Sequence, residues 1–213
     1  MKLFILIIIL SVNLFAQTAE FTEAKGSATG ETDSFSKWNF EIGLDKFEIR
    51  DNGRSKKINN KKAAKSFLLP LSKNEMLEIL YFASYKKDLI FVYGAKESGY
   101  GIGYISSFNP TTLKLKWKAI INGFNVGKGL IENQFAYLTA IGFVGKIDLL
   151  TGKYVWKHDN LYRKYKKSGA FNFFEVPEIE GNTVIFSENV ENLPPNILVI
   201  NKTSGKILQS VVN

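Results

Sequence analysis

Asp148-Leu149-Leu150-Thr151-Gly152-Lys153-Tyr154-Val155-Trp156 decides the reading of this chain, because the stretch occurs three times. Asn109-Pro110-Thr111-Thr112-Leu113-Lys114-Leu115-Lys116-Trp117 lies 39 residues earlier, and Asn201-Lys202-Thr203-Ser204-Gly205-Lys206-Ile207-Leu208-Gln209 lies 53 residues later. A period of about 40 residues marks a repeat architecture, in which each unit is a small supersecondary element buried by its neighbours. The repeat rests on Asn109, Thr112 and Trp117, on Asp148, Thr151, Gly152 and Trp156, and on Asn201, Ser204 and Gly205.

Each copy is a turn between two strands. Phe143 to Leu149 alternates before the turn, and Lys153 to Lys157 after it is rich in aromatic and β-branched residues. Asp148 and its Asn counterparts close the turn by accepting hydrogen bonds from the backbone two residues on. Gly152 and Gly205 suit a position of positive φ, whereas Leu113 in the first copy predicts a tighter turn of another geometry. The terminal Trp offers a flat apolar surface to the next unit. Gln209 replaces it in the last copy, as in a terminal unit.

A second pair of strands precedes each copy: Glu78–Ala83 with Leu89–Tyr93, Gly129–Ile131 with Phe135–Ala140, and Phe174–Ile179 with Thr183–Ser187. Four short antiparallel strands per repeat is the pattern of a propeller blade. The expected fold is all-β, a small or partial β-propeller of four-stranded blades. Three blades are clear, at roughly 75–121, 126–160 and 171–213, with an irregular one before them.

The run from strand through Asp-x-x-Thr-Gly-Lys to Trp, Asp148 to Trp156, resembles the quinoprotein-type (pyrroloquinoline-quinone-like) β-propeller repeat. That resemblance implies a propeller scaffold. Full quinoprotein dehydrogenases of this type carry eight blades, a calcium ion and a catalytic carboxylate, and the chain is too short for eight blades of this period. More distantly it resembles the outer-membrane assembly propeller, a lipoprotein, but the chain contains no Cys to lipidate.

Lys2, the apolar run Leu3–Phe15 and the small residues from Ala16 form the three parts of a secretory signal peptide. The run, interrupted by Asn13, falls short of the ~20 residues that span a bilayer. Residues 1–16 are therefore expected to be a signal peptide cleaved after Ala16, with Ala19 as the alternative site. Residues 17–36 follow as a flexible leader and 37–213 as the propeller-like domain. The absence of Cys excludes thiol catalysis and Cys-based metal sites. It fits a bacterial periplasm or exterior handled without disulfides.

Trp38–Gly43 and Phe47–Arg50 alternate like strands, with Asp51-Asn52-Gly53 as a turn after them, part of a fourth blade or a ring closure onto C-terminal strands. Gly53–Lys65 reads as a basic loop. Ser72-Lys73-Asn74-Glu75 matches a helix capping box, but the alternation after it favours a strand.

The net charge is +8. Its excess lies in Arg54, Lys56, Lys57, Lys61, Lys62 and Lys65, and in Arg163, Lys164, Lys166 and Lys167 within the insertion that lengthens the last spacing. The second cluster is the candidate partner-binding site. Tyr162, Tyr165, Phe171, Phe173 and Phe174 accompany it. Such interleaving can bind nucleic acid, but an exported protein rarely meets any. An acidic protein or an anionic envelope surface matches the compartment better.

Catalytic constellations are sparse. His158 is the only histidine, which excludes a His-rich metal site, and no Gly-x-Ser-x-Gly elbow accompanies it. Gly99–Tyr104 continues as strand rather than opening a helix, so it is no dinucleotide fingerprint. Its glycines fit a close approach of strands. Glu175, Glu178 and Glu180 lack the Asp-rich spacing of a calcium loop. The sequence therefore predicts a non-enzymatic exported binding protein without cofactor or metal, such as a periplasmic inhibitor or immunity protein of a cell-wall hydrolase. The alternative is an envelope assembly or scaffolding factor, with a quinoprotein-like enzyme third.

Overall fold

The N-terminal part of the chain builds more structure than its composition announces. The computed structural model describes residues 18–28, 36–42, 44–51, 56–60, 65–72, 74–97, 100–165, 171, 175–188 and 194–212. The expected signal peptide lies outside the described residues. Residues 18–28, expected to be loose, instead form three short strands: β1 (Thr18–Glu20), β2 (Thr22–Glu23) and β3 (Lys25–Ala28).

Four antiparallel sheets follow in chain order, and we call them blades 1 to 4. Blade 1 joins β3 to β4 (Ser36–Ile42), β5 (Asp45–Asp51), β6 (Lys56–Asn60) and β7 (Lys65–Leu68). Blade 2 contains β8 (Met76–Tyr85), β9 (Asp88–Glu97), β10 (Tyr100–Phe108) and β11 (Leu115–Ile121), with β2 added beside β8. Blade 3 contains β12 (Phe124–Val126), β13 (Leu130–Glu132), β14 (Phe135–Ile141), β15 (Phe143–Asp148) and β16 (Lys153–His158), with β1 added beside β13. A single helical turn, α1 (Leu161–Lys164), leads to blade 4: β17 (Glu178–Glu180), β18 (Thr183–Glu188), β19 (Asn196–Asn201) and β20 (Ile207–Val211).

The all-β, propeller-like fold expected from the repeat is the fold observed, and the irregular first blade is a regular five-stranded sheet. The stretch 53–65, expected to be a loop, contains strand β6. The five residues Lys56–Asn60 pair with β5, and hydrogen bonding to that neighbour overrides their low β propensity. Among the described residues no N-terminal strand pairs with blade 4.

Residues 18–28 work as a strap that gives one strand to each of three blades. Thr18–Glu20 pairs with Leu130–Glu132, Thr22–Glu23 with Tyr81–Phe82, and Lys25–Ala28 with Ser36–Asn39. Between the strands, the Phe21 amide donates to the Gly129 carbonyl (3.3 Å) and the Ala24 amide to that of Leu80 (2.9 Å). Phe21 is fully buried. Burying a Phe stabilises by roughly 1.5–3 kcal/mol, enough to hold a segment whose polar residues carry no strand pattern. Burial, with the nearby Glu23 carboxylate, also pushes the Tyr81 hydroxyl up to about 12.

The blades pack face to face through three apolar clusters. Trp38, Phe40, Phe47 and Ile49 of blade 1 meet Phe82, Phe91 and Phe108 of blade 2. Ile90, Val92 and Ile105 of blade 2 meet Ala136, Leu138 and Phe143 of blade 3. Tyr137, Val144 and Trp156 of blade 3 meet Val184, Phe186, Leu198 and Ile200 of blade 4. A middle blade is buried on both faces. The unbroken apolar run Leu89-Ile90-Phe91-Val92-Tyr93 is the sequence trace of that position.

Candidate functional site

The repeated turns share one geometry. The Asn109, Asp148 and Asn201 side chains each accept from the amides two and three residues on, at 2.7–3.2 Å. The amides of Leu113, Gly152 and Gly205 donate back to the carbonyls of those same three residues at 2.8–2.9 Å. The different geometry expected for Leu113 is not found: its φ is 56°, beside 69° at Gly152 and 73° at Gly205. Leu113 is buried in the cluster between blades 1 and 2, and that burial offsets the ~1–2 kcal/mol cost of a left-handed L-residue.

Glycine at the other two turns answers to the neighbouring Trp as well as to φ. A Cβ on Gly152 would sit 2.5 Å from the Trp117 ring, and one on Gly205 would sit 2.5 Å from Trp156. The indole N–H of Trp117 donates to the Leu149 carbonyl (3.2 Å), and that of Trp156 to the Lys202 carbonyl (3.0 Å). Each Trp therefore lies on the turn of the following blade, as the repeat predicted. His158 completes the second contact, with Nε2 2.7 Å from the Gly205 oxygen and its ring 6.0 Å from that of Trp156. Gly103 of β10 allows the close approach expected there, since a Cβ on it would meet Val126 at 2.5 Å.

Two buried polar clusters escaped sequence reasoning. Between blades 3 and 4, Glu132 accepts from Lys202 (2.7 Å) and from the Tyr137 hydroxyl (3.1 Å). Lys146 donates to the Lys202 carbonyl (2.9 Å) and lies 4.1 Å above the Phe135 ring. Burial lowers the Lys146 pKa against the opposing pull of Glu132. Between blades 1 and 2, Glu75 accepts from Tyr104 (2.5 Å) and the Ser72 amide (2.6 Å), so half of a capping box forms without a helix. Burial alone would raise the Glu75 pKa, but those hydrogen bonds and the Lys118 charge bring it below its ordinary value. Lys202 is 70 residues from Glu132, and no local signal announces such a pair.

Of the candidate partner-binding residues, Arg163 and Lys164 lie exposed on α1, whereas Lys166 and Lys167 fall outside the described residues. The turn is anchored. Leu161 is fully buried, its amide donates to Gly142 O (2.9 Å), and the Gly142 amide donates to Phe171 O (3.0 Å). Arg163 lies 5.9 Å from the Tyr162 ring and Lys164 5.6 Å from that of Tyr165. Tyr165 in turn lies tilted against Phe171, ring centroids 4.8 Å apart, and Phe171 is part of the core between blades 3 and 4. Of the 54–65 cluster, Lys56, Lys57 and Lys65 fall on strands and Arg54, Lys61 and Lys62 outside the described residues. No group of His, Asp or Glu among the described residues could hold a metal. A cleft of about 500 Å³ opens at the opposite end of the blades, lined by Ala19, Tyr85, Lys86, Asn133 and Gln134.

The chain matches no known family model and no curated protein sequence. Among solved structures it is similar to a europium-containing methanol dehydrogenase, at 11% identity and TM-score 0.45 over 63% of this chain and 25% of that one. It is also similar to apo AztD from Citrobacter koseri, at 13% identity and TM-score 0.32 over 87% of this chain and 59% of that one. The chain thus spans a quarter of the first and under two thirds of the second.

Proposed function

We propose that this is a non-enzymatic exported binding protein that docks another protein through the loops at one end of its blades. The favoured role is inhibition of a cell-wall hydrolase in the periplasm. The observation that supports this reading is the anchored presentation of Arg163 and Lys164 on α1. Both cations are exposed beside tyrosine rings, on a backbone fixed by buried Leu161 and by the Gly142 hydrogen bonds. A rigid basic patch loses little entropy on docking and steers association with an acidic surface. His158 supports the non-enzymatic reading, because its Nε2 is engaged with the Gly205 carbonyl.

The test compares wild type with a variant carrying Ser at Arg163, Lys164, Lys166 and Lys167. Secreted hydrolases encoded beside the gene are assayed by peptidoglycan clearing. Wild type should slow clearing by one of them, with an association rate that falls as salt rises and the Debye length shrinks to ~8 Å. The variant should associate at least tenfold more slowly. Equal inhibition by both proteins, with the same salt dependence, would remove the patch from the reading. An adjacent envelope-assembly operon with no hydrolase gene would favour the scaffolding role.

A further inference from the structure

Blade 4 buries a carboxylate where blades 2 and 3 bury rings and a methyl group. Counted from the repeated turn, the cross-strand pair Glu188 and Asn196 holds the place of Ala140 and Phe143 in blade 3 and of Tyr93 and Tyr104 in blade 2. Those four residues belong to the clusters that join each blade to the one before it. Glu188 and Asn196 are buried as well, each only 4% exposed. A carboxylate is costly to bury unless donors reach it.

Two donors converge on Glu188. The Phe171 amide donates to its Oε2 at 2.8 Å, and the Asn196 side-chain amide donates to the same oxygen at 2.6 Å. Phe171 stands in the insertion between blades 3 and 4, with a φ of 68°. A bulky residue at positive φ persists only where its surroundings over-determine it. Here the carboxylate takes the amide, the Gly142 amide donates to the carbonyl (3.0 Å), and the ring is buried. The bonds continue to α1: Gly142 O accepts from the amide of Leu161 (2.9 Å), the first residue of the turn that carries Arg163 and Lys164. Apolar packing fixes where the Phe171 ring sits but not where its amide points. A directional hydrogen bond does that.

We propose that Glu188 is a positioning residue, the latch by which blade 4 fixes the backbone at Phe171 and, through Gly142, the orientation of α1. Asn196 keeps the carboxylate turned toward Phe171. Without the carboxylate the buried Phe171 amide has lost its acceptor, which is costly, and the left-handed backbone loses a contact that holds it. The bond from Gly142 to Phe171 then loosens, and α1 with it. The ladders of blade 4 are made by backbone bonds between strands and remain. The latch stands whatever Arg163 and Lys164 bind, so it and the docking function can fail separately.

Amide hydrogen exchange of the full exported protein, read by NMR, tests the inference. Glu188→Ala should speed exchange at the Gly142 and Leu161 amides about tenfold, the effect of one lost hydrogen bond to a charged group. The amides of the ladder joining β19 to β20 should keep wild-type protection. Glu188→Gln retains an oxygen that accepts from both donors, so it should restore near-wild-type exchange at Gly142 and Leu161. If Glu188→Ala does not fold, Glu188→Asp replaces it, because it keeps the charge and withdraws the oxygen from Phe171; the same acceleration is expected. Unchanged exchange at Gly142 and Leu161 in the folded Ala or Asp variant would overturn the proposal. So would faster exchange spread evenly over blade 4, the sign of a general loss of stability, or a Gln variant that exchanges as fast as the Ala or Asp one.

Discussion

The interface between blades 1 and 2 and the two that follow it do the same job with different parts. Between blades 2 and 3, and again between 3 and 4, a Trp lies on a glycine turn and donates its N–H to that turn's backbone. Between blades 1 and 2 no Trp takes part in this way. Phe40 stacks on Phe47 at 4.9 Å, lies tilted against Phe82 at 4.7 Å, and meets Phe91 edge-on at 5.4 Å. Leu113 fills the turn position that glycine holds elsewhere. A ring against a glycine demands fixed residues at fixed spacing. A pool of Phe side chains demands only volume, so the repeat is audible in one half of the molecule and silent in the other.

If both constructions carry the blades, breaking either should be costly. Trp156→Ala and Phe40→Ala should each lose about 3–5 kcal/mol, the usual cost of a large buried aromatic, read as urea midpoints. Trp117→Ala should lose less, because Trp117 is more exposed than Trp156. A loss under about 1 kcal/mol for Phe40→Ala would mean that blade 1 hangs on the strap alone.

The strap crosses the blades whatever their interfaces are made of. Phe21→Ala should cost about 3 kcal/mol and speed hydrogen exchange at the Ala24 and Phe21 amides, which bond to Leu80 and Gly129. Protection unchanged at both amides would show that strand pairing, and not Phe21, holds the strap.

Leu113→Gly sharpens the contrast between turns. Glycine relieves about 1–2 kcal/mol of left-handed strain but forfeits a buried leucine worth about 2–5 kcal/mol. A net loss of up to about 4 kcal/mol in thermal or urea unfolding is expected from the difference. Stabilisation would mean that the first turn needs only its backbone.

The smallest expected effect concerns Glu75, beside the Phe-built interface. Its pKa in the folded chain lies below the ordinary 4.5, so the unfolded chain binds the proton more readily. The resulting stability is full above pH 4.5 and is lost as pH falls through the folded value. Near neutral pH, Glu75→Gln should cost about 1 kcal/mol. Melting curves should show its gap from wild type narrowing below pH 4.5. A gap independent of pH would assign the loss to shape and not to charge.

The repeat made three blades and the landing of Trp117 and Trp156 legible, because Asx turns, glycines and aromatics at fixed spacing are local chemistry. Blade 1 was only half legible: Trp38 to Arg50 alternates, but Lys56–Asn60 is polar and pairs only because β5 lies beside it. Thr18–Ala28 resembled a loose leader because its strands are two to four residues long and each finds a different sheet. The basic insertion was visible as composition, and its anchoring through Leu161, Gly142 and Phe171 was not.

By itself, then, the sequence determined the all-β class, the turn chemistry and the unit that repeats, since each depends on residues a few positions apart. Tertiary structure decided what contacts at long range decide. Glu132 is paired with Lys202, Phe21 is buried against blades 2 and 3, and Leu113 is held at positive φ by the cluster around it. In each case the burial or pairing energy comes from groups that the chain brings together only on folding, and no local pattern encodes it.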